Sequence, residues 1–310
     1  MNRDFYLLLA GGVGAAKFIE GLANVVSPEL LKIIVNTGDD IDLFGLKICP
    51  DLDIIIYTLS NLVDKEKGWG FAEETFNCLS ILRKFYNTGW FNAGDKDLAT
   101  HIYRTDLYRK GFSKAEITAK ICKCFGVKSQ IIPMSNEPVE TYIKTSIESM
   151  HFEKYYIKYQ CKPEVLGVEL RGIKEAKPVK GILEYINKAK RIIICPSNPI
   201  VSIDTILKVK GIKDILLKVK KKVYAISPII KGTTVKGPAD KLMKSLGLEV
   251  SCVGVANFYR NIIGHFIIDN KDCELKPEIE KLGIRTYCYD TLMTNIEKKI
   301  QLAQFMINLP

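Results

Sequence analysis

The chain has 310 residues, of which 47% are hydrophobic and 26% are charged, and its formal net charge is +10. These proportions are typical of a globular protein that buries a large core. The basic residues are spread along the chain, and no stretch approaches the roughly 20 apolar residues of a membrane span. We therefore expect small anionic substrates, which a basic surface attracts, and no nucleic-acid or membrane partner.

The first predicted element is a short buried strand from Phe5 to Ala10, followed by a glycine-rich turn and a helix from about Ala15. This apolar run is too short for a signal peptide, and Asp4 stands where such a peptide carries positive charge. We therefore predict a cytoplasmic protein.

The glycine-rich turn predicts a phosphate-binding site. Gly11, Gly12 and Gly14 allow positive φ and close approach of a ligand, and the N–H groups of the next helical turn attract an anion. Lys17 adds a positive charge in the same helix. The dinucleotide fingerprint fits only loosely and the G-K-[ST] sequence of a P-loop is absent. The type of phosphate ligand stays open, as does a tight turn without a ligand.

A cluster of aspartates follows the second predicted strand, "LKIIV". Asp39 and Asp40 come where that strand ends, at the carboxyl edge of the predicted sheet, beside the glycine turn. Hard carboxylate oxygens at that place suit Mg²⁺, which one or two carboxylates hold together with substrate phosphates. Turn formation and helix capping are the alternative interpretation; they explain Asp42 well, and Asp53 as the cap of the next helix.

Two regions interrupt the alternation of strands and helices, a mostly helical one at about 60–127 and a β-hairpin region at about 137–178. The first contains the polar loop "GDKDLATH", whose Lys96 is a candidate contact to a phosphate or a ring oxygen. Trp69, Trp90 and Phe91 are placed to stack on a flat ring, although core packing explains each of them alone. His101 is interpreted as a satisfied helical histidine.

The later strands, "RIIIC", "KKVYAIS", "LEVSCVGVA" and "HFIIDN", are continuously apolar, which is typical of a parallel sheet buried on both faces. We predict one α/β domain from residue 1 to 310, with a Rossmann-like, doubly wound, mostly parallel sheet and the two insertions. Ligands of such sheets bind at the carboxyl ends of the strands. There Ser197 and Asn198 precede one helix and Lys236 precedes another, so all three are candidate donor-binding residues.

The remaining signals are weaker. The basic run "KVKKKVY" is interpreted as a solvated strand edge. The nine cysteines are scattered, and those in apolar strands, Cys195 and Cys252, are interpreted as small buried hydrophobic residues in a reducing compartment. No Ser–His–Asp or Cys–His arrangement is convincing. Glycines, helix starts, clustered aspartates and lysines together favour transfer of a phosphate-containing group.

Several long segments, in the same order, resemble the 2-phospho-L-lactate transferase family of coenzyme F420 biosynthesis, from about residue 6 to 300. They are "GGVGAAKFIEGL", "NTGDDIDLFGLKICPDLDIIIYTL", "GWGFAEET", "GWFNAGDKDLATHIYRT", "PSNPIVSI", "SPIIKGTTVKGPADKLM" and "DTLM". The departures are small: Val13 and Ala15 vary the glycine loop, Leu43–Phe44 replace a frequent His–Gly pattern before Gly45, and Lys96 stands where the family often has Arg.

The resemblance implies a reaction between two small molecules. The donor is lactyl-2-diphospho-5′-guanosine, the acceptor is the deazaflavin Fo, Mg²⁺ bridges the diphosphate, and the products are coenzyme F420-0 and GMP. Family positions that contact Fo match Asp51 and Lys96. Asp51 is also the candidate general base, since a carboxylate near the ribityl hydroxyl can accept its proton. Asp39 and Asp40 are the metal candidates, with Asp40 counted as catalytic.

Three alternatives stay open at this point. One is a non-enzymatic relative that binds nucleotide sugars and regulates metabolism. The second is the same transferase with an enolpyruvyl or glyceryl donor. The third is an RNA-binding protein, which only the net charge favours. The sequence leaves the oligomeric state undecided, with a homodimer as one option.

Overall fold

The computed structural model describes residues 4–86 and 90–310. Residues 87–89, which fall within the predicted helical insertion and include Gly89 at the start of the "GWFN" segment, lie outside the described residues. The strands are β1 (Tyr6–Ala10), β2 (Leu31–Val35), β3 (Ile41–Leu43), β4 (Leu46–Ile48), β5 (Gln130–Pro133), β6 (Glu140–Thr145), β7 (Ser149–His151), β8 (Val165–Arg171), β9 (Arg191–Ile194), β10 (Val223–Ile226), β11 (Ile229–Ile230), β12 (Thr233–Thr234), β13 (His265–Asp269) and β14 (Arg285–Tyr289).

The α-helices alternate with these strands along most of the chain. They are α1 (Gly12–Ala23), α2 (Pro50–Leu59), α3 (Asn77–Phe85), α4 (Asp95–Arg109), α5 (Lys114–Cys124), α6 (Ile182–Lys188), α7 (Asp204–Lys208), α8 (Ile212–Lys218), α9 (Ala239–Ser245), α10 (Cys252–Tyr259), α11 (Lys276–Glu280) and α12 (Ile296–Asn308). Short π-helical turns at Lys154–Lys158 and Pro199–Ile203 border the cavity described below.

Seven strands form the central sheet in the order β14-β13-β10-β9-β1-β2-β5, and every neighbouring pair is parallel. This confirms the predicted doubly wound α/β fold. The first strand lies between β2 and β9, so the chain leaves it in one direction and later returns to build the other half. Such a switch point opens a crevice at the carboxyl ends of the strands.

Alternate residues of β1 serve two separate cores. Leu7 and Leu9 pack into the core on one face of the sheet, and Leu8 and Ala10 pack into the core on the other. All five residues of the strand are buried. Burial on both faces explains why the strand has no polar alternation, and it holds the glycine turn on a rigid base.

Two smaller units flank this sheet on the side of the crevice. Helices α3 to α5 lie between β2 and β5 in the chain, after the short antiparallel pair of β3 and β4. The second unit is an antiparallel sheet of three strands, β7-β6-β8, which has one strand more than the predicted hairpin.

Three local predictions are wrong. The segment "LEVSCVGVA" is not a strand: helix α10 begins at Cys252, because the Ser251 side chain accepts a hydrogen bond from the N–H of Gly254 at 2.9 Å and caps the helix. The run "KVKKKVY" is not an edge of the sheet: it contains the end of α8, a short helical turn at Lys220–Lys222 and the first two residues of β10, which is an inner strand. The segment "GDKDLATH" is the start of helix α4 and not a loop.

The cysteines differ in part from the prediction. Cys195 and Cys252 are buried and unpaired, as expected. Cys273 and Cys288, however, form a disulfide with a Cα–Cα distance of 5.8 Å. That bond links the segment after β13 to β14. Among the described residues, no helix combines the length and the apolar character needed to cross a membrane.

Candidate active site

A cavity of about 540 Å³ lies at the carboxyl ends of the central strands. Its walls come from the segments that follow β1, β2, β9, β10 and β14, from helices α2 and α4, and from the π-helical turn after β7. The switch point of the sheet is therefore open to ligands, as the fold class leads one to expect. Nine of the predicted site residues line it: Gly11, Gly12, Gly14, Lys17, Asp39, Asp51, Ser197, Asn198 and Lys236.

The glycine turn is tighter than predicted, because α1 begins at Gly12 instead of near Ala15. Gly12 has a φ of +70°, which favours glycine, but a Cβ there would meet nothing closer than 3.9 Å. Gly14 is required for packing, since a Cβ would lie 2.2 Å from the carbonyl oxygen of Pro196. At Gly11, a Cβ would lie 2.7 Å from both Asp51 and Ser202. Glycine is therefore favoured at the three positions for three different reasons: the positive φ of Gly12, the nearby backbone at Gly14 and the nearby side chains at Gly11.

Protein groups occupy part of the predicted phosphate seat. The N–H of Gly11 donates to Ser197 Oγ at 3.2 Å, and the N–H of Gly12 donates to Asp51 Oδ1 at 2.8 Å. Within the described part of the chain, no side chain accepts from the N–H groups of Val13 and Gly14. An anion at this turn would therefore meet the second half of the first helical turn.

Asp51 is held at the centre of a hydrogen-bond network. Its Oδ2 accepts from Asn36 Nδ2 at 2.9 Å, and the same amide donates to Asp39 Oδ2 at 3.2 Å. Asn36 is itself fixed, because its Oδ1 accepts from the N–H of Gly38 at 2.9 Å. Burial raises the pKa of Asp51 to about 6, against the opposing effect of the bonds from Asn36 and Gly12. The amide of Asn36 therefore bridges the carboxylates of Asp51 and Asp39. Among the described residues, no basic side chain forms a hydrogen bond with either carboxylate.

Glu153 joins these carboxylates in the cavity wall. Burial and then the negative charge of Asp51 raise the pKa of Glu153 to about 8. The same two causes raise the pKa of Asp39 well above its usual range, with a further contribution from Glu153. Buried acids that repel one another take up protons, so a bound cation would favour the ionised forms of these three carboxyl groups.

This wall meets the chemical requirements of a magnesium ion in part. The Oδ1 atom of Asp39 is buried and has no hydrogen-bond partner, so a hard oxygen ligand is available. The described residues contain no ready group of three or more His, Cys, Asp or Glu side chains placed to hold a metal. Mg²⁺ needs only one or two carboxylates when substrate phosphates complete its shell. Asp39 therefore fits the ion as a partial ligand.

Asp40 does not join Asp39, although the two are adjacent in the chain. Its carboxylate forms an ion pair with Lys114 at 2.5 Å, with both side chains largely buried. It lines a separate cavity of about 70 Å³ behind Ile48. Successive residues after a strand point to different sides, and the lysine on α5 neutralises this one. The structure thus places the predicted catalytic and metal-binding Asp40 outside the main cavity.

Two lysines, Lys17 and Lys236, line the cavity near the glycine turn, close enough for their charges to interact. Burial and then the nearby ammonium of Lys17 lower the pKa of Lys236. Burial and then the charge of Lys299 lower the pKa of Lys17, against the effect of Glu20. Lys236 also donates to the carbonyl oxygen of Lys67 at 3.2 Å. Two like charges that share one opening indicate an anionic ligand between them. We call the surface formed by residues 11–17, Ser197 and Lys236 the phosphate side.

Helices α2 and α4 form the other part of the cavity with a different chemistry. Asp53, predicted as a helix cap, lies inside α2 and forms a buried ion pair with both terminal guanidinium nitrogens of Arg104, Nη1 and Nη2. His101 lies 3.2 Å from Arg104, and burial and that positive charge lower the pKa of His101 to about 3. His101 is therefore neutral, and it also lines the cavity.

Aromatic residues and one further acid complete this region. Trp69 and Phe91 line the cavity, and Trp69 keeps 42% of its surface exposed. Trp90 instead packs against Phe91 and a small core outside the cavity. Asp97 also lines the cavity beside Tyr57. We call the surface formed by Tyr57, Trp69, Phe91 and Asp97 the ring side.

Lys96 lies outside the cavity, contrary to the expected contact with a ring. Its ammonium donates to the carbonyl oxygen of Ala72 at 2.8 Å, and its N–H donates to Glu74 at 2.9 Å. Because α4 begins at Asp95, neighbouring residues of this segment point in directions about 100° apart around the helix. Asp97 therefore lines the cavity, whereas Lys96 does not.

Ser197 and Asn198 line the cavity, but their side-chain oxygens already have backbone partners. Ser197 Oγ accepts from Gly11, and Asn198 Oδ1 accepts from the N–H groups of Ile200 and Val201 at 3.0 and 3.4 Å. The caps hold the π-helical turn in place. Only the remaining hydrogen-bonding capacity of these two residues is available for a nucleoside.

Sequence reasoning missed Glu153, Tyr57 and Asp97 as site residues, and it gave no role to the segment Thr291–Thr294 beyond the family resemblance of "DTLM". All of these residues line the cavity. The segment Thr291–Thr294 follows β14, so the rule that ligands bind at strand ends could have found it. Glu153 follows a short edge strand of the antiparallel sheet, and no local pattern indicates that it turns inward.

Known proteins of similar sequence cover almost the whole chain. Residues 7–301 match the family described as 2-phospho-L-lactate transferase CofD. The chain is 40% identical over 303 residues to the 2-phospho-L-lactate transferase of Methanosarcina acetivorans, covering 98% of each chain. It is 36% identical over 309 residues to the phosphoenolpyruvate transferase of Streptomyces griseus, covering 98% of this chain and 97% of the other.

A solved structure of similar fold is a crystal structure of a UPF0052-family protein from Bacillus halodurans. It has a TM-score of 0.64 and 15% sequence identity, and it covers 99% of this chain and 100% of its own. At this identity the likeness concerns the fold alone.

Proposed function

The chain belongs to the 2-phospho-L-lactate transferase (CofD) family, transferases of coenzyme F420 biosynthesis, and from this premise we propose a specific reaction. The protein transfers the 2-phospho-L-lactyl group from lactyl-2-diphospho-5′-guanosine to the terminal ribityl hydroxyl of Fo. Fo is 7,8-didemethyl-8-hydroxy-5-deazariboflavin. The products are coenzyme F420-0 and GMP.

One observation supports the proposal: a single cavity combines a phosphate side and a ring side, and Asp51 lines the same cavity. Lys17, Lys236 and the free N–H groups of α1 suit the diphosphate of the donor. Trp69 and Phe91 offer flat apolar surfaces for a ring system. A transferase has to hold both substrates at once, and a protein that only binds a nucleotide sugar has no need of the second surface.

Asp51 is the candidate general base. A buried carboxylate with a pKa near 6 can accept a proton at neutral pH, and the bonds from Asn36 and Gly12 fix its orientation. The ribityl oxygen forms a bond to the lactyl-bearing phosphorus as the bond from that phosphorus to the bridging oxygen of GMP breaks. The hydroxyl proton passes to Asp51, and the leaving GMP keeps the electron pair of the broken bond.

The lysines contribute by neutralising charge. Lys17 and Lys236 are placed to pair with the diphosphate and with the negative charge that grows on the leaving phosphate. Asp39 would hold Mg²⁺ together with the donor phosphates, and the ion when bound supplies further charge neutralisation on the diphosphate. When ionised, the carboxylates of Asp39, Asp51 and Glu153 would repel the donor in the absence of that cation.

A second donor has support among the relatives. The Streptomyces griseus protein, at 36% identity, is a phosphoenolpyruvate transferase, whereas the Methanosarcina acetivorans protein, at 40%, is named for phospholactate. The two acids differ by two hydrogens at the carbons next to the carboxylate. Residues that bind the diphosphate and the guanosine serve either donor.

The test is a product assay with competing donors. The purified protein is incubated with Fo, Mg²⁺ and equal concentrations of the lactyl and the enolpyruvyl donors, and the products are separated and weighed by mass spectrometry. We expect mainly the lactyl product, F420-0. A predominant product two hydrogens lighter would show that the enolpyruvyl compound is the donor, and it would leave the assignment as a transferase unchanged. Nucleotide binding without any product would favour the regulatory alternative.

A further inference from the structure

The proposed reaction gives no role to the disulfide between Cys273 and Cys288. The Cα–Cα distance of 5.8 Å lies within the usual range for such a bond, and the two cysteines are 15 positions apart in the chain. Cys273 is exposed and Cys288 is half-buried, so a thiol in solution can approach the bond from the side of Cys273. Exposed disulfides are the ones that exchange readily with thiols.

The other seven cysteines differ from this pair, because all of them are unpaired in the described part of the chain. Five are buried, among them Cys161 and Cys252. Burial raises the pKa of Cys161 to about 11 and the pKa of Cys252 to about 12, so these thiols rarely ionise at neutral pH. Cys78 and Cys124 are exposed and lie on α3 and α5. These two provide a matched control for the disulfide.

One cavity wall is attached to the strand that contains Cys288. Asp269, at the end of β13, is buried, and its Oδ2 accepts from the N–H and the hydroxyl of Thr291 at 2.9 and 3.0 Å. Thr291 begins the segment Thr291–Thr294, which lines the cavity. Cys288 precedes Thr291 by three residues. The disulfide and Asp269 therefore hold the end of β14 at two neighbouring points.

A second buried carboxylate connects the disulfide to the loop that contains Lys236. Asp272 directly precedes Cys273, and both of its oxygens accept from the backbone N–H of Lys231 at 3.1 Å. Lys231 lies in the turn between β11 and β12 with a φ of +49°, a conformation that residues other than glycine rarely adopt. Lys236 follows β12 and lines the cavity. The bond from Asp272 therefore helps to fix this loop.

The segment Asn270–Leu275 joins the two sets of contacts, because it follows Asp269 and contains Asp272 and Cys273. The disulfide is its covalent link to β14. Without that link the segment is held only by non-covalent contacts, so it opens more often, and the two cavity walls open with it. Opening reduces the fraction of molecules that can bind a ligand, and the apparent affinity falls by the same factor.

We propose that the Cys273–Cys288 bond is a thiol–disulfide exchange site whose redox state controls how tightly the cavity binds its phosphate ligand. The oxidised protein is the tight-binding form. The reactant is a dithiol, such as a reducing protein with a Cys-X-X-Cys site. This deepens the proposed function and rests on it, because the ligand is the guanosine diphosphate part of the donor.

The exchange proceeds in two steps. A thiolate of the reductant attacks Cys273 Sγ, the S–S bond breaks, and Cys288 leaves as a thiolate that takes up a proton. The second thiol of the reductant then attacks the reductant's own sulfur in the mixed disulfide, and Cys273 is released as a thiol. The protein gains two electrons and two protons, and the reductant becomes a disulfide.

Alkylation measures whether the bond forms and exchanges. The protein is purified without reductant, one half is treated with dithiothreitol, and both halves are denatured in iodoacetamide, weighed and mapped by peptide. We expect seven labels before reduction and nine after it, the two new ones on Cys273 and Cys288. Nine labels before reduction, or seven after it, would overturn the proposal.

Calorimetry compares GDP binding in the two states. Reduction should weaken GDP binding about 3- to 10-fold, and reoxidation should restore it. The Cys273→Ser/Cys288→Ser variant should bind GDP like the reduced protein and ignore the reductant, whereas Cys78→Ser/Cys124→Ser should respond like wild type. Fo affinity should change less than about twofold, since distant sites act independently, and it reports that each protein is folded.

Hydrogen exchange followed by mass spectrometry tests the route from the bond to the cavity. Reduction should speed exchange in residues 229–237 and 290–294 and leave α2 and α4 unchanged. Unchanged exchange in both segments would overturn this route. Equal GDP affinity in the two redox states would overturn the inference and leave the transferase assignment intact. Absence of GDP binding in both states would instead overturn the proposed function, and the inference with it.

Discussion

The phosphate side and the ring side share one cavity, but the chain builds them in different ways. The phosphate side consists of backbone at the end of β1, a capped turn after β9 and two lysines that repel each other. The ring side consists of side chains on two helices, with a buried ion pair behind them. One side depends on where the backbone lies, and the other on which side chain each helix turns inward.

For the proposed reaction, this difference explains how one cavity could hold two unlike substrates. A diphosphate is recognised by charge and by N–H groups, which tolerate small changes in ligand shape. A ring system requires flat walls and a few polar groups at fixed positions. Substitutions on one side should therefore alter the binding of one substrate and spare the other.

The largest effect is expected at Asp51, where the two sides meet. Asp51→Asn removes the proton acceptor and places two amide groups against each other at Asn36, so kcat should fall about 10²- to 10⁴-fold. Fo and GDP affinities should change much less. Single-turnover kinetics at saturating substrates measures the loss. Asp42→Asn, at an exposed side chain paired with Lys47, is the control that should keep wild-type turnover. A turnover within threefold of wild type in Asp51→Asn would remove Asp51 as the base.

The next effect concerns the lysines of the phosphate side. Lys17→Ala and Lys236→Ala should each weaken GDP binding about 10- to 100-fold, because each removes a charged contact worth about 1.5–3 kcal/mol. Fo affinity should remain near wild type. Calorimetry gives both values, with Lys231→Ala as the control, since Lys231 is paired with Glu274 at 2.5 Å outside the cavity. A parallel loss of Fo binding would show that the two sides are not separate.

The glycines of the turn should differ in their effect on stability. Gly14→Ala places a methyl group 2.2 Å from the Pro196 carbonyl oxygen, so we expect a loss of about 3 kcal/mol in the free energy of unfolding. Gly12→Ala meets open space but strains a positive φ, at a cost of about 1 kcal/mol. Urea denaturation of both variants compares the two. Equal losses would mean that backbone strain, and not packing, makes glycine necessary here.

The smallest effect is expected at Lys96, where sequence and structure disagree. Its ammonium is bound to Ala72 outside the cavity, so Lys96→Ala should change stability by no more than about 0.5 kcal/mol and Fo affinity by less than about twofold. Lys96→Arg should be silent as well. Fo titrations of the three proteins measure this. A tenfold loss in Lys96→Ala alone would return this residue to the ring side.

The parallel sheet could be predicted because its strands are short, apolar on both faces and followed by turn residues. The same rule identified Gly11, Asp39 and Ser197 as cavity residues, since each follows a strand at the carboxyl edge. Such predictions depend only on the order of elements. They succeed wherever the backbone itself forms the site.

Predictions for the side chains of the helices were less successful, for a physical reason. Helix α4 has charged residues on several faces, so its pattern resembles a loop and does not reveal that Asp97 turns inward while Lys96 turns outward. Asp39 and Asp40 could not be distinguished, because the partner that removes Asp40 from the site is Lys114, 74 residues later. Such cases are decided by pairing between residues that are distant in the chain. A local sequence pattern carries no information about that pairing.

Simultaneous binding of both substrates is the decisive test of two separate binding surfaces in one cavity. The protein is saturated with Fo and titrated with GDP and Mg²⁺ in a calorimeter, and the titration is repeated with the ligands exchanged. Separate phosphate and ring sides predict one GDP and one Fo bound together per chain, with each affinity changed less than about threefold by the other ligand. Competition, in which saturating Fo abolishes GDP binding, would contradict two sides in one cavity and with them the proposed transfer between two bound substrates.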